Sequence, residues 1–324
     1  MKILYVANGG FGDASWTTSW PRLFTERGHE IDVFLMQHTG NPFHANPFIR
    51  NMFVEEKMEA AKKIMPVIEG DSYDIVIVPD NTMAGMLHVK KVIKNVKNVY
   101  FFKDISRSQV VSDLEIPPFT KPEWYFTEKE FKYIEDLKIK NSVLFHPISS
   151  SVYEESRNID FNLIIECSKK IKDIVVLYGG RKCLPIESLK KMETAGIRLL
   201  WEDYNCFNDE SGTALGKFLA LTSQCQVSVH GWSGSFLMSA GYNKPYIFTV
   251  PGYKIRANPK APYFGTKETY LSHISQADKF NSLNPSAWCI TEETEVIIEA
   301  INYVLEGKTG IYDKTWTFLK GKIC

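Results

Sequence analysis

The sequence predicts an α/β protein built as two doubly wound domains in series. Two patterns and one length carry this reading. Short apolar, β-branched or aromatic runs alternate with amphipathic stretches along the chain, the order that winds helices onto both faces of a parallel sheet. Several runs, such as Asp74-Ile75-Val76-Ile77-Val78, are almost continuously apolar, as strands covered on both faces must be. The chain has 324 residues, long for one open domain and sufficient for two of roughly 150 each.

In the first half the apolar runs predict strands over residues 3–7, 31–36, 75–79, 99–102 and 124–127, with helices over 15–27, 51–68, 82–95 and 128–137 between them. After about residue 140 the pattern restarts. Strands are expected over 143–146, 174–178, 198–201, 226–229 and 246–250, and helices over 161–171, 186–194, 213–222, 233–240 and 291–305. The expected domains are therefore Rossmann-like: residues 1–140, then 141–305, with a tail over 306–324 that packs back on the first domain. Residues 251–265, rich in Pro and Gly, read as a long loop.

Composition narrows the function classes. Lys plus Arg equals Asp plus Glu at 38 each, which argues against attachment to DNA or an anionic membrane by bulk charge alone. Cys167, Cys183, Cys206, Cys225, Cys289 and Cys324 form no CxxC pair and no zinc-finger spacing, so a reducing cytoplasm is the expected compartment. The N-terminal residues lack the pattern of a signal peptide. No run of about 18 apolar residues is present, and a soluble protein is expected.

Ligands of open α/β sheets bind beyond the carboxyl ends of the strands, so the turns after each strand are the places for chemistry. Asn8-Gly9-Gly10-Phe11-Gly12-Asp13-Ala14-Ser15 follows the first strand. Gly10 and Gly12 let backbone approach a ligand closely, and a helix N-terminus offers free N–H groups. A dinucleotide site fits poorly, because Ser15 stands where the third glycine belongs and no ribose-binding acid ends the second strand. Asp13 suits two roles, a helix cap or a general base.

In the second half, Phe145-His146-Pro147-Ile148-Ser149-Ser150-Ser151 follows a strand, with Arg157 close behind. Ser149 and Ser150 form either an ordinary polar loop or a phosphate cradle, with Arg157 as its counter-charge or a surface cation. Gly179, Gly180 and Arg181 end the next strand in a form suited to a nucleotide. His230-Gly231-Trp232-Ser233-Gly234-Ser235 opens a helix with small residues, a pattern for anions. It is not the G-x-S-x-G elbow of a serine hydrolase. No HExxH and no Asp-x-Asp pair occurs, so a metal-independent site with no cofactor is expected. Trp16, Trp20, Phe43 and Phe48 suit stacking on a sugar or base, or plain core.

These turns resemble those of the bacterial heptosyltransferase family, glycosyltransferase family 9. Lys2-Ile3-Leu4 through Gly10-Phe11-Gly12-Asp13, then Thr17-Thr18 and Pro21, looks like that family's opening motif. His146-Pro147 with Ser149-Ser150 looks like its second-domain loop, and residues 218–234 with Lys244-Pro245 like its nucleotide-sugar motif. The resemblance implies a GT-B fold, two Rossmann-like domains facing a cleft, and an inverting, lipopolysaccharide-type sugar transfer. It implies Asp13 as base, Arg157 in place of a phosphate-binding lysine, and Ser233, Gly234 and Ser235 around the diphosphate. Trp232 and Leu237 stand where the family has Asp and His, which implies a donor other than ADP-heptose.

A second similarity, to phage β-glucosyltransferase, runs through residues 73–78, Val99-Tyr100-Phe101-Phe102-Lys103-Asp104-Ile105 and 124–128. It implies Asp104 as the base, Arg181 at the diphosphate, and hydroxymethylated DNA as acceptor in a phage-infected bacterium. The expected partners are thus a nucleotide-sugar donor with either a glycan or hydroxymethylcytosine in DNA. A non-catalytic nucleotide-sugar binding module is the remaining alternative.

Overall fold

A computed structural model of the chain describes residues 1–7, 14–15, 17–37, 41–79, 84–102, 114–115, 120–147, 159–179, 186–202, 212–231, 235–249, 288–289 and 294–306. The chain divides into two compact units, Met1–Phe126 and Thr127–Cys324.

The first unit holds a five-stranded sheet: β1 (Lys2–Ala7), β2 (Glu30–Gln37), β3 (Met52–Glu56), β4 (Ile75–Pro79) and β5 (Val99–Phe102). The order is β3-β2-β1-β4-β5 and every pair is parallel. Side chains alternate across a strand, and the sequence uses both sides. Ile3, Tyr5, Ala7, Ile31, Val33, Leu35, Ile75 and Ile77 face Trp20 and Phe24 of α1 (Trp20–Glu26). Leu4, Val6, Phe34, Met36, Val76 and Val78 pack on Ala60, Ile64 and Ile68 of α2 (Lys57–Asp71) and on Val89 and Ile93 of α3 (Ala84–Ile93). At the amino edge of the sheet, buried Asp32 accepts hydrogen bonds from Arg50, Tyr73 and Asn51.

In the first unit two elements change type from the sequence expectation. The helix expected over 51–68 starts only at Lys57, because Met52–Glu56 pairs with Val33–Gln37 as an edge strand. The strand expected over 124–127 joins no ladder. Pro122 and Trp124 are buried in alternation, which imitates a strand, but side chains of α1 and the residues before it hold the segment. Thr18 Oγ1 accepts from the Glu123 N–H at 3.0 Å, Ser19 Oγ donates to Thr120 Oγ1, and Arg22 pairs with Glu123.

The second unit contains α4 (Glu128–Asp136), β6 (Val143–His146), α5 (Phe161–Ser168), β7 (Ile174–Gly179), α6 (Ile186–Thr194), β8 (Arg198–Glu202), α7 (Ala214–Gln224), β9 (Val227–His230), α8 (Phe236–Gly241), β10 (Tyr246–Thr249), β11 (Trp288–Cys289) and α9 (Thr294–Leu305). Its sheet runs β11-β10-β9-β6-β7-β8, all parallel. One face is apolar: Val143, Phe145, Val176, Val227 and Val229 meet Leu163, Ile164 and Cys167 of α5, Met192 of α6 and Ile297 and Ile301 of α9. The strand β11 had no counterpart among the expected elements. The tail over 307–324 and the loop over 251–265 lie outside the described residues.

Helix α4 belongs with the second unit because one buried carboxylate ties it to α7. Glu130 closes the capping box of α4, accepting from the Thr127 N–H at 2.8 Å. Its other oxygen accepts from the N–H and Oγ1 of Thr213, the residue that caps α7. A single negative charge thus serves two positive helix ends.

Candidate functional site

Both sheets have the strand order in which a central pair of strands sends its crossovers in opposite directions. A crevice opens there beyond the carboxyl ends, and ligands of doubly wound folds occupy it. In the first unit that pair is β1 and β4. The turn carrying Gly10, Gly12 and Asp13 leaves β1 and so starts at this point. Asp104 follows β5 at the sheet edge, one strand beyond β4. The ends of β1 and β5 are two strand spacings apart, roughly 10 Å. Gly10, Gly12, Asp13 and Asp104 themselves lie outside the described residues.

What holds the far side of the glycine turn is described. Thr17 Oγ1 donates to the Ala14 carbonyl at 2.9 Å and shares a hydrogen bond with Tyr5 Oη at 2.9 Å. Thr18 Oγ1 donates to the Ser15 carbonyl, and Asn46 Nδ2 donates to the Thr18 carbonyl. Tyr5 packs against Trp20 and Phe43, and all three rings are buried. Trp20 and Phe43 are therefore core residues, while half-buried Phe48 packs on Tyr125. Trp16 lies outside the described residues.

In the second unit the central pair is β6 and β9, with β7 next to β6. The three expected binding turns leave the ends of these three neighbouring strands. Ser149, Ser150 and Arg157 follow β6, Gly180 and Arg181 follow β7, and Ser233 and Gly234 follow β9. All seven lie outside the described residues, whereas Gly179 closes β7 opposite Glu202.

The face of this sheet toward α7 and α8 is a polar seam. His146 and His230 end their strands in direct register, with ring centroids 6.0 Å apart. His230 is 1% exposed, and both its nitrogens face hydroxyls: Nδ1 meets Ser235 Oγ at 2.9 Å and Nε2 meets Ser228 Oγ at 2.8 Å. Ser239 of α8 bonds Ser228 at 2.6 Å and also reaches His230 Nε2. Burial, then the neighbouring His146, pushes the His230 imidazole well below its ordinary range. His230 and Ser235, two of the expected binding residues, are thus bonded to each other in the core. The tie fixes the start of α8 against the end of β9.

His146 behaves differently. Its ring stands edge-on to Phe218 at 5.1 Å. Its Nδ1 is buried with no hydrogen-bond partner among the described residues. Burial pushes this imidazole down to about 4, so it is neutral at pH 7. Sequence reading placed His146 in a motif without making it a site residue, and it passed over Ser228 and Ser239. The signal for Ser228 was present: Val227-Ser228-Val229-His230 alternates apolar and polar inside a fully buried strand. Among the described residues no group of three or more His, Cys, Asp or Glu side chains converges on a metal position. No described helix is long and apolar enough to cross a membrane.

No family model and no curated protein sequence matches the chain. Solved structures do. The chain is similar to the ADP-heptose lipopolysaccharide heptosyltransferase II of E. coli, with 15% identity, a TM-score of 0.64 and coverage of 95% of this chain and 99% of that one. It is also similar to a glycosyl transferase family 9 protein from Veillonella parvula, with 12% identity, a TM-score of 0.63 and coverage of 95% and 97%. The chain has the GT-B fold of these proteins, with two Rossmann-like units.

Proposed function

We propose that this chain is an inverting glycosyltransferase that moves a sugar from a nucleoside-diphosphate sugar to a hydroxyl of a glycan acceptor. The observation that carries the reading is the strand order of both units: the glycine turn follows central strand β1 in the first, and in the second the three small-residue turns follow β6 and β9, the central pair, and β7 beside them. The fold shared over nearly the whole chain with two sugar transferases supports it.

In the proposed reaction a carboxylate takes the proton of the acceptor hydroxyl as that oxygen bonds to the anomeric carbon. The bond from that carbon to the diphosphate oxygen breaks, and the nucleoside diphosphate leaves with the electron pair. Asp13 is the first choice for the base, since its turn leaves the central strand β1, and Asp104 the second, since its turn leaves the edge. Backbone N–H groups near Ser233 and Gly234, the hydroxyls of Ser149 and Ser150, and Arg157 or Arg181 would stabilise the leaving charge. Gly179 and Gly180 would admit the nucleotide, and His230 with Ser235 would hold the β9–α8 turn in place. No step requires a metal or a cofactor.

Purified protein offered a panel of nucleotide sugars, with truncated lipopolysaccharide glycans and hydroxymethylated duplex as separate acceptors, tests the reading. Sugar incorporation into a glycan is expected. Incorporation only into DNA would move the acceptor to nucleic acid, and donor binding without turnover on any acceptor would make the chain a binding module. With transfer established, Asp13→Asn is expected to lower kcat by about 10²–10⁴-fold with donor affinity kept. Full transfer by that variant would remove Asp13 as the base.

A further inference from the structure

Helix α3 lies in a stretch without a single acid. From Asn81 to Lys103 the sequence has no Asp or Glu, while Lys90, Lys91, Lys94, Lys97 and Lys103 fall inside it. The buried side of the helix is formed by Val89 and Ile93, which belong to the core shared with α2 and the sheet. Each residue of a helix turns the chain by about 100°, so Leu87 and Lys91, each two positions before a buried residue, point outward. Leu87 is 49% exposed, and Val92 on the shoulder of the same helix is 40% exposed.

Lys91, Lys94 and Lys97 are exposed and form no ion pair with a described residue. Other helices mix their charges. Lys62 pairs with Glu59 on α2, Lys191 with Glu187 on α6, and Lys169 with Glu166 at the end of α5. Around α2, Glu55 is also taken by Lys63, and Asp71 by Lys2 and Arg50. Cations at a helix C-terminus answer its dipole, but that effect fades within a turn. It does not extend to Lys97, and it gives no reason for a leucine in line with the lysines.

We propose that the outward face of α3 docks the chain on an anionic lipid surface, with Lys91, Lys94 and Lys97 against the headgroups and Leu87 entering the interface. The proposal goes beyond the transferase reading and does not depend on it. The chain is neutral overall, so only a local cluster can hold such a surface, and salt confines the attraction to about 8–10 Å. Leucine and valine set among lysines suit the boundary between headgroups and acyl chains. A nucleic-acid face would add arginine or aromatic rings, and residues 87–98 contain neither. The helix runs back from the end of β4 to the start of β5, so these lysines lie toward the amino end of the sheet, away from the crevice of this unit.

Flotation of the full chain with vesicles tests the surface, using phosphatidylcholine alone or mixed with phosphatidylglycerol. Binding to the mixed vesicles only, weakening as salt rises, is expected. Each lysine near an anionic surface contributes about fivefold in affinity. The triple variant Lys91→Gln, Lys94→Gln, Lys97→Gln is therefore expected to bind about 100-fold more weakly, while Arg at the same three positions keeps wild-type binding. Lys129→Gln, Lys132→Gln, Lys140→Gln removes the same charge from exposed positions on and after α4, and its binding is expected to stay within about threefold. Leu87→Gln is expected to lose about threefold. Every substituted side chain is exposed, so folding is not at stake.

Absence of binding to the mixed vesicles overturns the proposal. Equal loss in the two Gln triples does so as well, because bulk charge and not this face would then be responsible. Unchanged vesicle binding in Leu87→Gln, or tighter binding to duplex DNA than to vesicles, would assign the lysines to another polyanion and overturn the lipid surface.

Discussion

Tyr5 and Thr17 show how single side chains anchor the segment that follows the glycine turn. The tyrosine comes from β1 and the threonine from the segment after the glycines, and their hydroxyls meet at 2.9 Å in a buried setting. Tyr5→Phe removes that bond and leaves Thr17 its link to the Ala14 carbonyl. A stability loss of about 1 kcal/mol is expected in urea denaturation, and an unchanged midpoint would show that the bond is idle. Residue types in this stretch were legible in the sequence: the hydroxyls of residues 15–19 follow the glycines directly. Their partners were not, because Tyr5 and Asn46 reach them only through the fold. His146 illustrates the same limit. Its motif could be read, but the burial of its ring beside Phe218 and His230 is set by residues distant in the chain.

Among the elements, α4 and α7 depend on each other through Glu130. The carboxylate accepts from Thr127 at one helix start and from Thr213 at the other. Lys217 of α7 adds a second link, its Nζ lying 4.5 Å from the centre of the Tyr133 ring on α4. Gly216, in the first turn of α7, has no room for a side chain, since a Cβ there would lie inside the Glu130 carboxylate. Alanine ordinarily favours a helix over glycine by about 1 kcal/mol. Here Gly216→Ala is expected to destabilise by roughly 2–3 kcal/mol instead, measured by chemical denaturation. A more stable variant would contradict the tie. Glu130→Ala, leaving the Thr213 N–H unbonded, is expected to cost about 2 kcal/mol by the same measurement. The capping box was present in the sequence as Thr127 and Glu130. That the same glutamate also serves Thr213, 83 residues away, required the two helices to pack.

At the scale of the whole molecule, stability should depend on pH through its buried histidines. An unfolded histidine titrates near 6.5. His146 is pushed down to about 4 by burial, and His230 lies well below the ordinary value. Between those limits the unfolded chain binds more protons, so stability is complete above about pH 6.5 and falls as the pH drops. For His146 the loss reaches up to roughly 3 kcal/mol near pH 4. Asp32 adds a later step. Burial opposes its ionisation, but hydrogen bonds from Arg50, Tyr73 and Asn51 hold its carboxyl below the usual range. Its contribution is present above about pH 4 and lost below. Melting temperature is thus expected to decline from pH 6.5 downward and more steeply below 4, with a shallower first phase in His146→Phe. Identical melting at pH 7 and pH 5 would refute the assignment.

The sequence by itself determined the α/β class, the restart that makes two units, and most strands of both sheets, because periodicity and β-branched runs are local properties of the chain. It misread residues 52–56 as helix and 124–127 as strand. Pairing with β2 decides the first, and the side chains of residues 18–22 decide the second. Only the tertiary structure decided that β1 and β4, and β6 and β9, are the central pairs, and so which candidate turns follow a central strand. It alone distinguished His230, bonded at both ring nitrogens, from His146, whose Nδ1 has no partner among the described residues. Strand order and hydrogen-bond satisfaction depend on which distant residues become neighbours, and no local pattern specifies that.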